Sequence, residues 1–416
     1  MDSSTHILSL ADRCVKCGLC LPQCPTYNLA ANENESPRGR IALIQGWLTG
    51  QLEPSSTLTQ HLDQCLLCRR CERVCPSQVP YGEIMDQSKA LLVKNEKGGY
   101  SIRTFISNAG LKLLLNEKLS IALFSTLRLL QISGFIALVK KSKILKPFGL
   151  QRLISYLPKL DRHLKTKSFY PANNAIKTTK GNVALFTGCV SKQLDPKTIQ
   201  ASIKLLNFIG YDVTIPEQQT CCGALHVHDG KMEQAKKLAN KNITTFNQPK
   251  NTTTIISLVN GCTSQLREYS QLHTKNGFIP EVKDIVEFLS EVEWPDTISF
   301  KPLDKTIALQ VPCSLQNSLR AENKLIHLIE NIPNISIETI YNKCCGAAGS
   351  YFLRQPTLSD QLKKHAIAQL TQPSPEYIIS SNLGCALQLK SGLSDNQNNP
   401  HVIHPVELLA QQISQK

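Results

Sequence analysis

The chain of 416 residues is poor in aromatics, at 6%, with two Trp and three Met. It also lacks the short signatures of most enzyme classes. No Gly-x-Gly-x-x-Gly, Walker loop, Gly-x-Ser-x-Gly or His-Glu-x-x-His occurs. A flavin or nicotinamide site, a phosphate-cradling loop, a hydrolase elbow and a zincin helix are therefore excluded as sources of its chemistry. Gly (21) and Pro (22) are ordinary in number, and no period resembles collagen or a coiled coil. The first residues, Met1-Asp-Ser-Ser-Thr-His, show no basic stretch followed by an apolar one, so a cytoplasmic location is expected.

Two features stand out against this plain background. One is 16 cysteines, and the other is a formal net charge of +14. In a reducing compartment, abundant Cys reads as metal ligation before it reads as disulfides. The charge is concentrated: between Gln87 and Lys167 stand 16 Lys or Arg against Glu96, Glu117 and Asp161, so this segment carries +13. A local excess of this kind points to one face turned toward an anionic surface or partner. No aromatic ladder, zinc-finger spacing or RNA-binding signature accompanies it, so nucleic acid is not an expected partner. The same segment holds an apolar run, Ser120 to Val139, with Arg128 and Gln131 at its middle. Its readings are a helix buried on protein, an interfacial helix, or a membrane span, the last opposed by the central ion.

The cysteines sort into four sets of four. Cys14, Cys17, Cys20 and Cys24-Pro25 spell C-x2-C-x2-C-x3-C-P, and so do Cys65, Cys68, Cys71 and Cys75-Pro76. Cys at every third position of a tight turn aims three sulfurs at one cubane. The fourth Cys, displaced by an extra residue and followed by Pro, is carried to the neighbouring cubane. The ligand sets therefore cross: Cys14, Cys17, Cys20 and Cys75 for one [4Fe-4S] cluster, and Cys65, Cys68, Cys71 and Cys24 for the other. Zinc ribbons use two pairs of ligands instead of three plus one with a trailing Pro. The long insert between the motifs contains helical material at Ile41 to Leu48 and Thr57 to Leu67, which predicts an α-helical ferredoxin-like domain with the motifs on short helices.

The remaining eight cysteines repeat. Cys189, Cys221, Cys222 and Cys262 are matched by Cys313, Cys344, Cys345 and Cys385 at a nearly constant offset, the mark of a duplicated domain. Apolar, β-branched runs lead into Cys189, Cys262, Cys313 and Cys385, reading as buried strands that deliver Cys at their carboxyl ends. Between them, Asp195-Pro196, the stripe Ile199, Ile203, Leu206 and then Gly210 read as a capped helix. The result is an α/β unit whose strand ends converge on a crevice. The Gly after each Cys-Cys pair permits close backbone approach. An iron-sulfur cluster, zinc, or a redox-active thiol pair are the alternatives for these two sites. His226 and His228 follow the first pair, where Ser350 and Phe352 stand in the second, so they read as polar groups near the crevice. The expected organisation is multidomain: ferredoxin-like 1–100, a basic helical connection 101–180, and Cys-Cys-Gly α/β domains at 181–300 and 301–416.

Two such ferredoxin motifs followed by two Cys-Cys-Gly domains resemble the glycolate oxidase iron-sulfur subunit family over essentially the full length. Cys-Pro-Thr-Tyr at 24–27, Ser-Pro-Arg-Gly-Arg-Ile at 36–41, Cys-Cys-Gly-Ala at 221–224 and Cys-Cys-Gly-Ala-Ala-Gly at 344–349 carry the likeness. The iron-sulfur subunit of the anaerobic glycerol-3-phosphate dehydrogenases and the Cys-Cys-Gly subunit of the heterodisulfide reductases share parts of this arrangement. Many Cys-Cys-Gly domains end in Cys-x-x-Cys, whereas here Gln265 and Gln388 hold the fourth positions. That departure disfavours thiol-disulfide catalysis and favours electron relay. The resemblance implies a non-flavin subunit working with FAD-containing subunits that oxidise glycolate or D-lactate, with a quinone as acceptor, while the basic segment Gln87 to Lys167 raises the expectation of peripheral contact with the inner face of the cell membrane. Single-electron carriers cannot oxidise a hydroxy acid themselves, so that step belongs to the partner.

Overall fold

The computed structural model describes residues 3–95, 117–142, 150–173, 179–248, 252–272, 281–340, 344–372, 374–393 and 399–415. Residues 3–95 are helical and contain no strand: Ser3–Ala11, Pro25–Ala30, Pro37–Leu48, Ser56–Asp63, Arg70–Arg73 and Tyr81–Asn95. Their starts are written locally. Ser36 accepts a hydrogen bond from Gly39 N with Pro37 in the first turn, and Ser55 accepts one from Leu58 N. Ile7, Leu10, Ile41, Ile44, Leu62, Ile84 and Met85 close one small core. The two cysteine motifs sit differently from expectation. Cys14 to Cys20 lie on turns, and only Cys71 is inside a short helix, because turn geometry is what aims consecutive sulfurs inward. The helix predicted to reach Leu67 stops at Asp63, which frees Cys65 and Cys68 from helical geometry.

Two sheets follow. The strands of the first are β1 Phe169–Tyr170, β2 Gly181–Phe186, β3 Tyr211–Thr214, β4 Thr252–Ser257 and β5 Glu281–Asp284, in the order β1-β3-β2-β4-β5. All pairs are parallel except β1 with β3. After β6 Ile298–Phe300, the second sheet holds β7 Thr306–Gln310, β8 Ser336–Ile340, β9 Tyr377–Ile379 and β10 His401–Ile403, in the parallel order β10-β9-β7-β8. The repeat is thus one of topology as well as of cysteine spacing. The chain reverses direction across the sheet between β2 and β4 in the first half and between β7 and β9 in the second, which is where ligand crevices form in open α/β sheets.

Two details depart from the expected segment boundaries. β1, inside the basic connection, joins the first sheet, and β6 pairs with β11 Ile413–Gln415 instead of with its own half. The halves are also not independent beads. The helix Pro196–Phe208 of the first packs on Pro405–Gln412 of the second, and Ile285–Glu291 packs on Glu322–Glu330. Thr198 Oγ1 donates to Glu407 Oε1 at 2.9 Å, and Lys204 Nζ donates to the Ala410 carbonyl at 2.6 Å. Ile199, Leu206, Ile285, Leu325, Leu328, Val406 and Leu409 share a single apolar core.

That joint has a pH-sensitive cap. Helices Ile285–Glu291 and Pro405–Gln412 both begin with a capping box, from Asp284 with Glu287 and from His404 with Glu407. Val406 N donates to His404 Nδ1, and burial pushes the His404 imidazole down to about 3. The unfolded chain therefore takes up a proton that the native chain refuses, so stability falls as pH drops from about 6.5 toward 3. At 1.36 kcal/mol per unit, the full effect is about 5 kcal/mol. His404→Asn, which keeps a side-chain cap without the titration, is expected to flatten the acid-induced loss of amide protection in Pro405–Gln412. Equal acid sensitivity in both proteins would show that another group dominates.

Candidate metal centres

Cys24, Cys65, Cys68 and Cys71 line one small cavity, partly open to solvent, together with Pro25, Thr26, Arg40 and Tyr81. The chain thus brings the fourth cysteine of the first motif to the first three of the second. Burial pushes the Cys68 thiol up to about 12 and raises Cys71 well above its ordinary value. Thiols that resist ionisation when empty load metal with loss of protons. Sulfurs spread around such a space suit a cluster. A lone zinc, at about 2.3 Å from each sulfur, would need them drawn together. Among the described residues, no three His, Cys, Asp or Glu side chains converge closely enough to hold a single ion.

The other proposed set, Cys14, Cys17, Cys20 and Cys75, is nearer the surface. Cys17 is exposed and the other three are half-buried, while Cys14, Cys20 and Cys75 pack on the ferredoxin core. Burial raises the Cys20 thiol, and Cys14 and Cys24 add to that as neighbouring charges.

In the first Cys-Cys-Gly half, the four predicted sulfurs form a connected run of pairwise contacts. Cys221 hydrogen-bonds with both Cys189 and Cys222, and Cys222 Sγ lies 3.4 Å from Cys262 Sγ. The bonds it receives from Cys189 and Cys222 hold the Cys221 thiol well below its ordinary value, while Cys189 and Cys222 are raised. In the second half, Cys345 Sγ and Cys385 Sγ are 2.7 Å apart. Cys313 and Cys344 stand within the field of Cys345, and burial pushes Cys313 up to about 11. Each quartet gathers at the reversal point of its sheet. Cys262 and Cys385, expected at strand ends, occupy the first turn of the helices Asn260–Arg267 and Leu383–Lys390 instead. Gly223 and Gly346, at φ +91° and +79°, turn the backbone so that their N–H groups donate to Cys221 Sγ and Cys344 Sγ at 3.4 Å. A Cβ on Gly346 would also stand 2.5 Å from the Ser359 carbonyl.

The residues flanking the quartets are structural. Gln388 Nε2 donates to Ser359 Oγ at 2.9 Å, and Ser359 Oγ donates to the Gly346 carbonyl at 2.8 Å, so this Gln braces the Cys-Cys-Gly turn. Gln265 is likewise buried. His228 Nδ1 lies 3.1 Å from Asp86 on the ferredoxin-side helix, and His226 is buried with its pKa lowered by that burial. Neither His is needed to complete a quartet. Sequence reasoning missed Thr26, Arg40 and Tyr81. The signal for the first two lay in Cys-Pro-Thr at 24–26 and Pro-Arg-Gly-Arg at 37–40, stretches that carry the family likeness without announcing a role for these side chains.

The ferredoxin-like part docks against both halves. Arg69 pairs with Glu268, and Arg69 Nη2 donates to Glu268 Oε2 at 3.0 Å. Arg73 pairs with Glu322 and donates to the Gln316 carbonyl at 2.7 Å, while Asn317 Nδ2 donates to the Cys68 carbonyl at 2.8 Å. Leu66, Tyr351 and Leu362 form a small apolar cluster against which both Cys68 and Cys344 pack. The cavity of Cys24, Cys65, Cys68 and Cys71 therefore abuts the second Cys-Cys-Gly quartet.

Comparison with known families agrees with this division. Residues 10–79 match a 4Fe-4S dicluster domain, and residues 183–267 and 307–390 each match a cysteine-rich domain. A protein of Bacillus subtilis (strain 168) named "Probable glycolate oxidase iron-sulfur subunit" is 30% identical over 418 residues, covering 97% of this chain and 94% of its own. The glycolate oxidase iron-sulfur subunit of Escherichia coli (strain K12) is 28% identical, covering 98% and 95%. Lactate utilization protein A of an Exiguobacterium species is 26% identical over 56% of this chain and 99% of its own.

Proposed function

The chain belongs to the family of glycolate oxidase iron-sulfur subunits, and from that premise we propose that it is the electron-transfer subunit of a multisubunit, FAD-dependent 2-hydroxy-acid dehydrogenase. A flavoprotein partner removes two electrons from glycolate or D-lactate and releases them singly. This chain carries them toward a quinone. The observation that supports relay is the apolar cluster of Leu66, Tyr351 and Leu362, on which both Cys68 and Cys344 pack, so that a ferredoxin-type centre neighbours a Cys-Cys-Gly centre. Iron-sulfur clusters bound at these thiolates supply single-electron chemistry. The chain's own residues hold the centres adjacent across the apolar cluster of Leu66, Tyr351 and Leu362.

A thiol-disulfide reductase is the rival reading, and the buried Gln388 speaks against it by placing a structural brace where a fifth thiolate, beyond the quartet, would stand. The purified chain is expected to reduce no dye with glycolate or D-lactate, and to support turnover only after a flavoprotein encoded beside it is added. Dye-linked oxidation by the flavin-free chain alone, or thiol-substrate turnover, would overturn the proposal.

A further inference from the structure

The two ferredoxin-type sites have very different surroundings. Around Cys24, Cys65, Cys68 and Cys71, three buried side chains face the sulfurs. Thr26 Oγ1 lies 3.2 Å from Cys24 Sγ, and Tyr81 OH donates to Cys65 Sγ at 3.7 Å. Arg40 is fully buried, lines the cavity, and donates through Nη1 to Thr26 Oγ1 at 3.1 Å. Its carboxylate partner Glu35 does not line that cavity and is itself held by His61 Nδ1 at 2.6 Å. The Arg40 guanidinium donates to the Thr26 hydroxyl, the His61 and Glu35 carbonyls and the Glu35 carboxylate, and it acts on Cys65 and Cys24 as a neighbouring positive charge. Among the described residues, no side-chain donor reaches the sulfur of Cys14, Cys17, Cys20 or Cys75; Cys20 has a backbone hydrogen bond from Arg38 and the Arg38 charge beside it.

We infer that Thr26, Tyr81 and Arg40 set the reduction potential of the centre held by Cys24, Cys65, Cys68 and Cys71, raising it against the burial that would otherwise lower it. Reduction adds one electron to a centre whose thiolates are already anionic. Burial alone disfavours that added charge, whereas hydrogen bonds to the ligand sulfurs and a nearby cation favour it. Thr26 is suited to this by its alternatives. With Cys24 as a thiol, the hydroxyl donates to the Glu35 carbonyl at 2.9 Å. Once Cys24 is a metal-bound thiolate, an anionic acceptor lies within the same reach, and Arg40 fixes the oxygen between the two. Tyr81 stands on the first turn of Tyr81–Asn95, so its phenol is positioned by a whole helix.

The inference rests on the iron-sulfur relay reading and concerns which centre accepts an electron first. The test is a potentiometric titration of the full-length, anaerobically purified chain with dithionite as the electron source, read by paramagnetic resonance. Tyr81→Phe and Thr26→Val keep the shape of the cavity wall and remove only the donors. Each is expected to lower the ratio of reduced to oxidised centre several-fold at a fixed potential, for one of the two ferredoxin signals only. A tenfold change corresponds to 59 mV for a one-electron couple. Thr26→Ser, which keeps the hydroxyl, is expected to restore the parent value. Unshifted midpoints with both signals intact would overturn this inference and leave the relay reading standing, and so would equal shifts in both signals. Absence of any cluster signal from the parent chain would overturn both.

Discussion

Replacing Cys24 with Ser is expected to halve the iron of the ferredoxin-like domain, from about eight atoms to about four, and to do so at the site of the other motif. Cys24 belongs by sequence to the run Cys14, Cys17, Cys20. In space it lines the cavity of Cys65, Cys68 and Cys71 and starts the helix Pro25–Ala30, whose Pro25 turns the chain away from its own motif. A serine hydroxyl is a poor substitute for a thiolate, so the cluster at Cys65, Cys68 and Cys71 should be lost or much weakened. Cys75→Ser is expected to produce the reverse pattern. Iron and sulfide quantitation gives the size of the loss, and paramagnetic resonance gives its identity. Loss of the signal that responds to Cys14→Ser, in the Cys24→Ser protein, would show that each motif keeps its own fourth ligand.

The dicluster motif and the duplicated Cys-Cys-Gly domain were legible because metal chemistry is written in residue identity and spacing, which survive without knowledge of the fold. The strands were legible for a related reason: buried parallel strands are short apolar runs, and Val183 to Phe186, Ile255 to Ser257 and Ile378 to Ile379 are buried as such runs should be. Local chemistry also placed the helix after Asp195-Pro196 and its end near Gly210. The position of Cys262 and Cys385 was less legible. A Gly-Cys pair after an apolar run reads equally as a strand end or a first helical turn, and the following residues decide.

Long-range arrangement was not legible at all. The docking of the ferredoxin part rests on Arg69 with Glu268 and Arg73 with Glu322, charged residues that carry no local signature. The same holds for the shared core, since nothing in Ile199 or Leu409 announces that its partner lies in the other half. The apolar run Ser120 to Val139 shows the limit most clearly. Its readings included a helix buried on protein, but burial is a tertiary property. The structure breaks the run into Glu117–Ile132 and Phe135–Ser142, bent by 80°, and no single helix among the described residues is long and apolar enough to cross a membrane. Only Ser120, Phe124 and Ile136 of it are buried. Gln131, the polar residue at its centre, is used within the chain: its side chain donates to the Pro158 carbonyl at 2.7 Å and accepts from Leu160 N at 2.9 Å.

That bent pair is expected to bind anionic vesicles in a salt-dependent way and to ignore neutral ones. Leu129, Ile132 and Leu138 are 64%, 66% and 65% exposed, and Phe135 stands beside them at the bend. Lys118, Arg128, Lys140 and Lys141 lie on the same two helices. Large apolar side chains rimmed by cations match the chemistry of an anionic lipid interface, where the rings and branches enter the headgroup boundary and the charges meet phosphate. Each cation near such a surface contributes about 1 kcal/mol, so four together strengthen attachment by roughly three orders of magnitude at low salt. Raising the ionic strength from 0.1 M to 1 M shortens the screening length from about 10 Å to about 3 Å and should release most of the protein. Leu129→Gln with Leu138→Gln alters exposed positions only, so the fold should persist while sedimentation with vesicles falls at every salt concentration. The remaining basic residues at 96–116 and 143–149 lie outside the described residues. An acidic face on the flavoprotein partner is the competing occupant. It would give salt-sensitive binding to that protein, blocked by the same double substitution, with no vesicle binding by the chain alone or in complex, and that pattern would move this surface from the membrane to the subunit interface.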